Sequence, residues 1–457
     1  MRTEALIIAG AGITGLSAAW YLRHWNPLVL EASGQPGGNV RSLEKGGFLS
    51  DLGPNSLLLR GHQVPELISE LGLGPELCEA NPVARRRYVL NRRREMVALG
   101  PGALLGGRLL SLQARLRLLG EPFRSPGGPE ESISSFVNRR LGPEILHWIV
   151  SPFVSGVFAG DPDRLSVSAA LPRLTAMEQE SGSLIRAALH RRRGNGHAGR
   201  SRLVSFRHGM QTLPERLAST LGDRLLLNSP VESLQREGNL WKIRSGNQTL
   251  QAEKLLLALP APVLAALLRP LHTGIAETLD EIFYPAVATI GLGFPRQQVE
   301  HSMDGFGVLI PRVLGIQTLG ALFSSTLFPD RAPTGHVLLT AFLGGAQNDI
   351  RGGEETGMVR QVLEDLRPIL RIQGDPEYAH AQLWSQAIPQ YEIGHQKRLE
   401  QVNRFLETLP NLSLMGNWRG GVAVGDCIAQ AGELARAPAW QNPGTGENFR
   451  ETTVPPR

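Results

Sequence analysis

Hydrophobic and polar positions change texture several times along this chain. Ala5-Leu6-Ile7-Ile8-Ala9 is apolar at every position, as a strand covered on both faces must be, and Leu28-Val29-Leu30 repeats that pattern. Between them, residues 16–22 read as a helix. Residues 241–244 and 250–259 read as strands, the second stopped by Pro260 and Pro262. Residues 284–294 and 337–343, with β-branched or aromatic side chains and glycine punctuation, predict further strands. Residues 81–125 differ: they are basic and leucine-rich. Arg85-Arg86-Arg87 and Arg92-Arg93-Arg94 flank Tyr88-Val89-Leu90. A run of leucines from Leu104-Leu105 to Leu118-Leu119 comes next, with Arg108, Arg115 and Arg117 between. That stretch fits a basic amphipathic helix lying on a membrane, and equally a helix packed on its own core with arginine toward solvent. Residues 151–168 are turn-rich and apolar together, which is unusual for a plain loop. Residues 190–205 read as an exposed connection, and the Pro/Gly-rich residues 438–457 as a flexible tail.

Length and composition narrow the class. A chain of 457 residues suggests two or three domains, and 42% apolar with 19% charged residues excludes disorder of the whole chain. A net charge of +5, from 47 basic and 42 acidic residues, demands no nucleic-acid partner and suits an anionic membrane surface. Two cysteines, Cys78 and Cys427, make no disulfide framework, and no Cys/His spacing predicts a metal. No apolar run approaches the roughly 18 residues of a membrane span. A strand begins within a few residues of the N-terminus, so no signal or transit peptide is expected. These features predict a cytoplasmic protein, peripherally membrane-associated at most.

The densest chemistry lies in the first 31 residues. The run 5–9 ends in Gly10-Ala11-Gly12-Ile13-Thr14-Gly15, a helix comes after it, and the second strand ends at Glu31. Gly10 permits a tight turn, Gly12 lets backbone approach a pyrophosphate, and Gly15 lets helix and strand pack closely. The helix N-terminus at Ile13 and Thr14 offers free N–H groups to phosphate. Glu31 is spaced to accept from a ribose hydroxyl. Strand, glycines, helix, strand and acid in this order predict a Rossmann-like dinucleotide site.

The residues just past the second strand separate the cofactors. Glu31-Ala32 leads to Gly37-Gly38-Asn39, and then to Asp51-Leu52-Gly53-Pro54-Asn55. This resembles the extended FAD signature of the flavin amine oxidase superfamily, E-A-x-x-x-x-G-G and then an acidic-Gly-Pro turn. Gln35 stands where that family usually carries a basic residue. The resemblance implies FAD, with Ala32, Gly37, Gly38 and Asn39 added to the cofactor contacts.

Longer stretches are more specific. SGVFAGDPDRLS (155–166), FYPAV (283–287), GFGVLIPR (305–312), TLGALFSSTLFPDRAP (318–333), WSQAIPQYEIGH (384–395) and GNWRGGVAVGDCI (416–428) occur in one order. They resemble the oxygen-dependent protoporphyrinogen oxidase family in its plant and bacterial form, over residues 5 to about 435.

The resemblance implies a mixed α/β fold in three parts. A discontinuous FAD domain would take 1–80, 200–262 and 385–437, a helical and membrane-facing region 81–199, and a mixed-sheet substrate domain 263–384. It implies that Gly416, Asn417, Val422, Ala423, Val424 and Trp384 hold the flavin, and that Val231 meets the adenine. By the same resemblance Arg87 pairs with a substrate propionate, and Leu309 and Phe328 sandwich a pyrrole. Phe306, Leu322 and Phe342 line that pocket, and Ala159 and Gly160 turn beside the flavin. The implied reaction takes protoporphyrinogen IX to protoporphyrin IX in three two-electron steps, with oxygen reduced to hydrogen peroxide, in haem and chlorophyll synthesis. No catalytic side chain is required, because the flavin carries the chemistry. A homodimer and contact with the next tetrapyrrole enzyme are compatible with it.

Three other readings compete. Coproporphyrinogen III oxidation is the same chemistry on four propionates, and Arg92 to Arg94 would suit it. An amine oxidase would commonly place a lysine against the flavin, but Lys242 and Lys254, the lysines of the central half, fall in FAD-domain strands. A GDP-dissociation-inhibitor-like binding protein shares the fold and should lack the C-terminal flavin strand, which is present at 414–424.

Overall fold

The computed structural model describes residues 3–100, 102–103, 107–128, 130–193, 202–409 and 411–441. The two apolar runs are the parallel strands Thr3–Ala9 and Leu28–Leu30, with helix Ile13–Tyr21 between them. They belong to a seven-stranded sheet. Its order runs Leu225–Leu226, Leu28–Leu30, Thr3–Ala9, Gln248–Ala258, Leu240–Ser245, Ser233–Glu237. Gln248–Ala258 serves two partners along one edge. Its first half pairs antiparallel with Leu240–Ser245, and its second half takes Leu412–Met415 in parallel. The C-terminal part of the chain thus returns to the first sheet, with Gln248–Ala258 between it and the first strand. Helices Ile13–Tyr21 and Val424–Arg436 share the core on one face, and Ala261–Leu268 with Thr273–Asp280 cover the other.

A second seven-stranded sheet runs Tyr378–Trp384, Val287–Pro295, His336–Gly344, Thr318–Leu322, Gly307–Leu309, Arg87–Leu90, Met96–Ala98. Ile290, Leu292, Val308, Ala321 and Ala341 point to one face and bury helix Glu355–Leu370 through Met358, Val362, Leu366 and Leu370. The other face carries glycines where the first half of the chain approaches. A Cβ on Gly291 would lie 2.6 Å from Ser50 Oγ, and one on Gly293 would lie 2.5 Å from the Phe48 ring. Those two glycines let the hairpin Ser42–Lys45/Phe48–Asp51 lie on the sheet.

The third part is helical: Leu112–Leu119, Ile133–Arg140, Ser151–Phe158, Pro172–Ser181 and Leu184–Arg193. Ile133, Phe136, Val137, Trp148 and Val154 form its core. A buried ionic cluster ties its segments together. Arg140 and Glu121 are both 0% exposed and 3.3 Å apart, Arg140 also pairs with Glu178, and Arg139 reaches Glu178 at 2.8 Å.

Three expectations change. Residues 87–98, placed with the helical region, form a hairpin on the edge of the second sheet because Arg87–Leu90 pairs in parallel with Gly307–Leu309. Arg202–Phe206, read as exposed connection, is the middle strand of a sheet with Leu57–Leu59 and Leu77–Glu79, with Val204 and Phe206 fully buried. Pro438–Gln441, read as flexible tail, is a helix pinned by Trp440, whose carbonyl accepts from Trp25 Nε1 at 2.9 Å. The rest of both segments, 194–201 and 442–457, lies outside the described residues, as do Leu104 and Leu105.

Candidate active site

Two glycine turns face each other at the C-terminal end of the first sheet. Gly10 has φ 97°, and its N–H donates to Leu30 O at 2.7 Å, closing the turn onto the neighbouring strand. A Cβ on Gly15 would sit 1.9 Å from Gly10 O, so helix Ile13–Tyr21 can approach only with glycine there. A Cβ on Gly12 would meet nothing within 4 Å, and no side chain caps the helix that begins at Ile13. The second turn docks on the first. Gly37 N donates to Ala11 O at 2.8 Å, and a Cβ on Gly38 would be 3.2 Å from Gly12 Cα. Open space beside uncapped amides is what a pyrophosphate requires, so these residues fit the dinucleotide.

Glu31 also shapes the cleft. Its Oε2 accepts from Ala11 N at 2.7 Å, and its Oε1 accepts from the N–H and hydroxyl of Ser33 at 2.9 and 2.8 Å. Oε1 is thereby filled, and Oε2 keeps a second lone pair for a ribose hydroxyl. Ser229 N donates to Glu31 O at 2.7 Å, which brings Val231, two residues on, to the same end as Glu31 and Ala32. At the other end, Gly416 and Asn417 come directly after strand Leu412–Met415, and Val422, Ala423 and Val424 lead into the second helix N-terminus. Cys427 on that helix is pushed up to about 11 by burial, against a hydrogen bond with Thr14 that lowers it, and is thus a packing thiol.

Four of the eight residues expected to meet substrate, Arg87, Leu309, Leu322 and Phe342, fall on one face of the second sheet. Cross-strand register aligns Arg87, Gly307, Leu322 and Thr340 in one row, and Val89, Leu309, Gly320 and Phe342 in the next. Phe306, Leu322 and Phe328 form one apolar cluster with Cys78 and Leu327. Phe342 and Trp384 both pack against a second, formed by Ala159, Val287, Leu319 and Ala387. Trp384 is fixed by donation from Nε1 to Leu52 O at 2.7 Å, and Arg41 lies over its ring at 5.6 Å. Asn39 Nδ2 reaches Ala387 O at 3.4 Å across the same junction.

Arg87 is exposed, with its guanidinium 5.0 Å from the Phe306 ring centre, and no carboxylate among the described residues pairs with it. Arg86 beside it is engaged by Asp304, whose carboxyl is held below the usual range by hydrogen bonds from Ser302 and Tyr88, against its own desolvation. Ala159 (φ 49°) ends helix Ser151–Phe158, and its carbonyl accepts from Ala346 N at 2.7 Å. Gly160 is required by the neighbouring Gln390 and Leu165, each 2.6 Å from a Cβ placed there.

Leu309 and Phe328 belong to different apolar clusters. Leu309 packs with the helical layer, whereas Phe328 is buried against Leu327 with the Arg331 guanidinium 5.5 Å from its ring. The other side of Leu309 is helix Ser151–Phe158, where a Cβ on Gly156 would be 2.5 Å from Leu309 Cδ2. Phe153 and Val157 flank Gly156 on that helix's exposed face. Sequence reasoning missed these three, although an i, i+4 apolar pair inside residues 151–168 marked them. Lys242 pairs with Glu237 at 2.8 Å on a hairpin, and Lys254 sits between the Trp25 and Trp440 rings at 5.3 and 5.0 Å, so both are spent on the first sheet.

Comparison with known proteins agrees with this geometry. The profile of the flavin-containing amine oxidoreductase family matches residues 13–437. Protoporphyrinogen oxidase 1 of Arabidopsis thaliana chloroplasts is 34% identical over 95% of this chain and 87% of its own length. Coproporphyrinogen III oxidase of Bacillus subtilis is 30% identical over 93% of this chain and 96% of its own. A crystal structure from Exiguobacterium, described as a candidate protoporphyrinogen oxidase, superposes with a TM-score of 0.83 at 26% identity, covering 97% of this chain and all of the other. Reduced UDP-galactopyranose mutase shares the fold at a TM-score of 0.73 and 18% identity, covering 97% of each chain. The chain belongs to the flavin-containing amine oxidoreductase family, in the branch of the protoporphyrinogen and coproporphyrinogen oxidases.

Proposed function

We propose that this chain oxidises protoporphyrinogen IX to protoporphyrin IX. The observation that carries the reading is the pair of adjacent rows, Arg87 with Leu322 and Leu309 with Phe342, on a glycine-interrupted sheet face, with Trp384 packed on the same apolar cluster as Phe342. A flexible cyclic tetrapyrrole needs a broad apolar slot, and its propionates need a cation at one end. Arg87 supplies that cation as a planar fork suited to carboxylate. Leu309, Leu322 and Phe342, with Phe153 and Val157 opposite, provide apolar walls that orient the ring and exclude water.

The glycine turns at 10–15 and 37–38 would hold the FAD pyrophosphate, Glu31 its ribose, Val231 its adenine, and residues 416–424 with Trp384 its ring. FAD when bound supplies the two-electron acceptor, and three rounds with oxygen as final acceptor account for the six hydrogens removed and three hydrogen peroxides formed. The relatives named coproporphyrinogen III oxidase keep the four-propionate substrate as a second reading. One observation ranks it lower. Arg92 is paired with Glu144 at 3.2 Å, and Arg94 donates to Leu314 O at 3.4 Å, so both are engaged at the turn beyond the far end of strand Arg87–Leu90.

The surface of the helical layer supports a peripheral membrane role. Leu112, Leu116 and Leu119 stand on one helix face at 65%, 58% and 73% exposure, and Phe123 lies just beyond at 84%. Such an apolar ridge among arginines suits the headgroup boundary of an anionic bilayer, from which a poorly soluble substrate would come. No helix among the described residues is long and apolar enough to cross a membrane.

The test is anaerobic mixing of the FAD-loaded protein with each porphyrinogen. Bleaching of the yellow flavin band by protoporphyrinogen IX, faster than by coproporphyrinogen III, is the expected result. Faster bleaching by coproporphyrinogen III would reverse the ranking. No bleaching by either would remove both substrates.

A further inference from the structure

Between strand Leu412–Met415 and helix Val424–Arg436 the chain makes a loop bounded by two special residues, Gly416 (φ 150°) and Gly421 (φ 132°). Backbone in that region has little intrinsic preference for one shape. Within the loop, Arg419 N donates to Gly416 O at 3.2 Å. A phenol from another segment ties the loop further. Tyr391 Oη donates to Asn417 O and accepts from Gly421 N at 3.0 Å, so one hydroxyl joins both ends of the loop.

That phenol is itself held on two sides. Its ring stacks on His395 with centroids 4.2 Å apart and planes 12° apart, and its own carbonyl accepts from Ser166 N at 2.8 Å. Tyr391 is 6% exposed, and burial raises its pKa well above the ordinary value, so the hydroxyl stays neutral and can donate and accept at once.

We propose that Tyr391 is a positioning residue for the cofactor: its hydroxyl sets the shape of the 416–421 loop, and thereby the approach of Asn417 and the helix N-terminus to the flavin ring. This rests on the flavin reading of residues 416–424. Tyr391→Phe keeps the stack on His395 and removes the two hydrogen bonds. It leaves a partly buried amide and carbonyl unpaired, which corresponds to a weakening of about tenfold. The expected result is an FAD dissociation constant about tenfold higher than wild type, a shifted flavin absorption band and a changed flavin reduction potential, with the stripped protein still cooperatively folded.

An FAD dissociation constant within twofold of wild type, with an unmoved spectrum, would overturn the proposal and leave the flavin reading standing. Failure of the wild-type protein to bind FAD would overturn both. Hydrogen exchange on the wild-type protein gives a check that needs no variant. In protein stripped of FAD, the Gly421 amide should be protected because its N–H is donated to Tyr391, and exchange at the rate of an open loop would contradict the inference.

Discussion

Two arginine sites in this chain obey opposite rules. In the helical layer Arg140 is sealed from water, and its charge is met by Glu121 and Glu178 and by the carbonyls of Arg124 and Gly182 at 3.1 and 3.0 Å. At the edge of the slot Arg87 is exposed, lies against Phe306, and has no acidic partner among the described residues. A charge with its counter-charges inside the fold is committed to structure, because removing one partner strands the others. A charge left unpaired beside an apolar face is available to a ligand. The same residue type is therefore committed to structure in one region and left free for a ligand in the other.

The comparison breaks most sharply at Arg140. Arg140→Ala leaves Glu121 and Glu178 in the interior with less compensation, and should cost about 3–5 kcal/mol of stability. Urea unfolding measures that loss, and KM in the folded fraction should stay near wild type. A variant as stable as wild type would show that the cluster is not structural.

His395 extends the contrast to a buried group with no counter-charge. Burial, with Arg398 adding to it, pushes its pKa down to about 4, against a hydrogen bond with the Trp418 backbone that raises it. The folded state thus binds a proton less readily than the unfolded chain. Its contribution is complete above the unfolded pKa of roughly 6.5 and is lost as pH falls from there toward 4, on the order of 3 kcal/mol in all. His395→Phe should flatten that part of the stability profile, and an unchanged acid slope would exclude His395 as its source.

Arg87→Ala should leave the melting temperature within about 2 °C, since an exposed side chain contributes little to folding. Its effect should instead appear as a KM for protoporphyrinogen raised about 10- to 30-fold, as expected for a lost charge-assisted pair, with Arg87→Lys recovering part. The smallest effect belongs to the apolar ridge. Leu116→Ser and Leu119→Ser should each weaken binding to anionic vesicles about fivefold, with no loss of solution stability. Equal binding by the double variant would place the membrane contact elsewhere.

How much of this was legible in the sequence depended on the range of the contacts involved. The dinucleotide site is local: strand, glycines, helix and Glu31 fall within 31 residues, and the structure builds them as spaced. The second glycine turn could also be read, but not that Gly38 would pack back onto Gly12. The slot was legible only as motifs, because its rows arise from strands 87–90, 307–309, 318–322 and 336–344, far apart in the chain. For the same reason Arg202–Phe206 was misread. Its polar start looked like connection, and its buried Val204 and Phe206 are explained by pairing with residues 57–59 and 77–79. Gly156 was invisible because its importance lies in one contact with Leu309, about 150 residues away.

The most direct test is porphyrin fluorescence under air from the FAD-loaded protein, with protoporphyrinogen IX and coproporphyrinogen III offered separately to wild type and Arg87→Ala. A higher kcat/KM for protoporphyrinogen IX in wild type, falling in Arg87→Ala mainly through KM, is the predicted result. A preference for coproporphyrinogen III, or an Arg87→Ala variant with unchanged KM, would contradict the assignment of this slot to a substrate held at one end by Arg87.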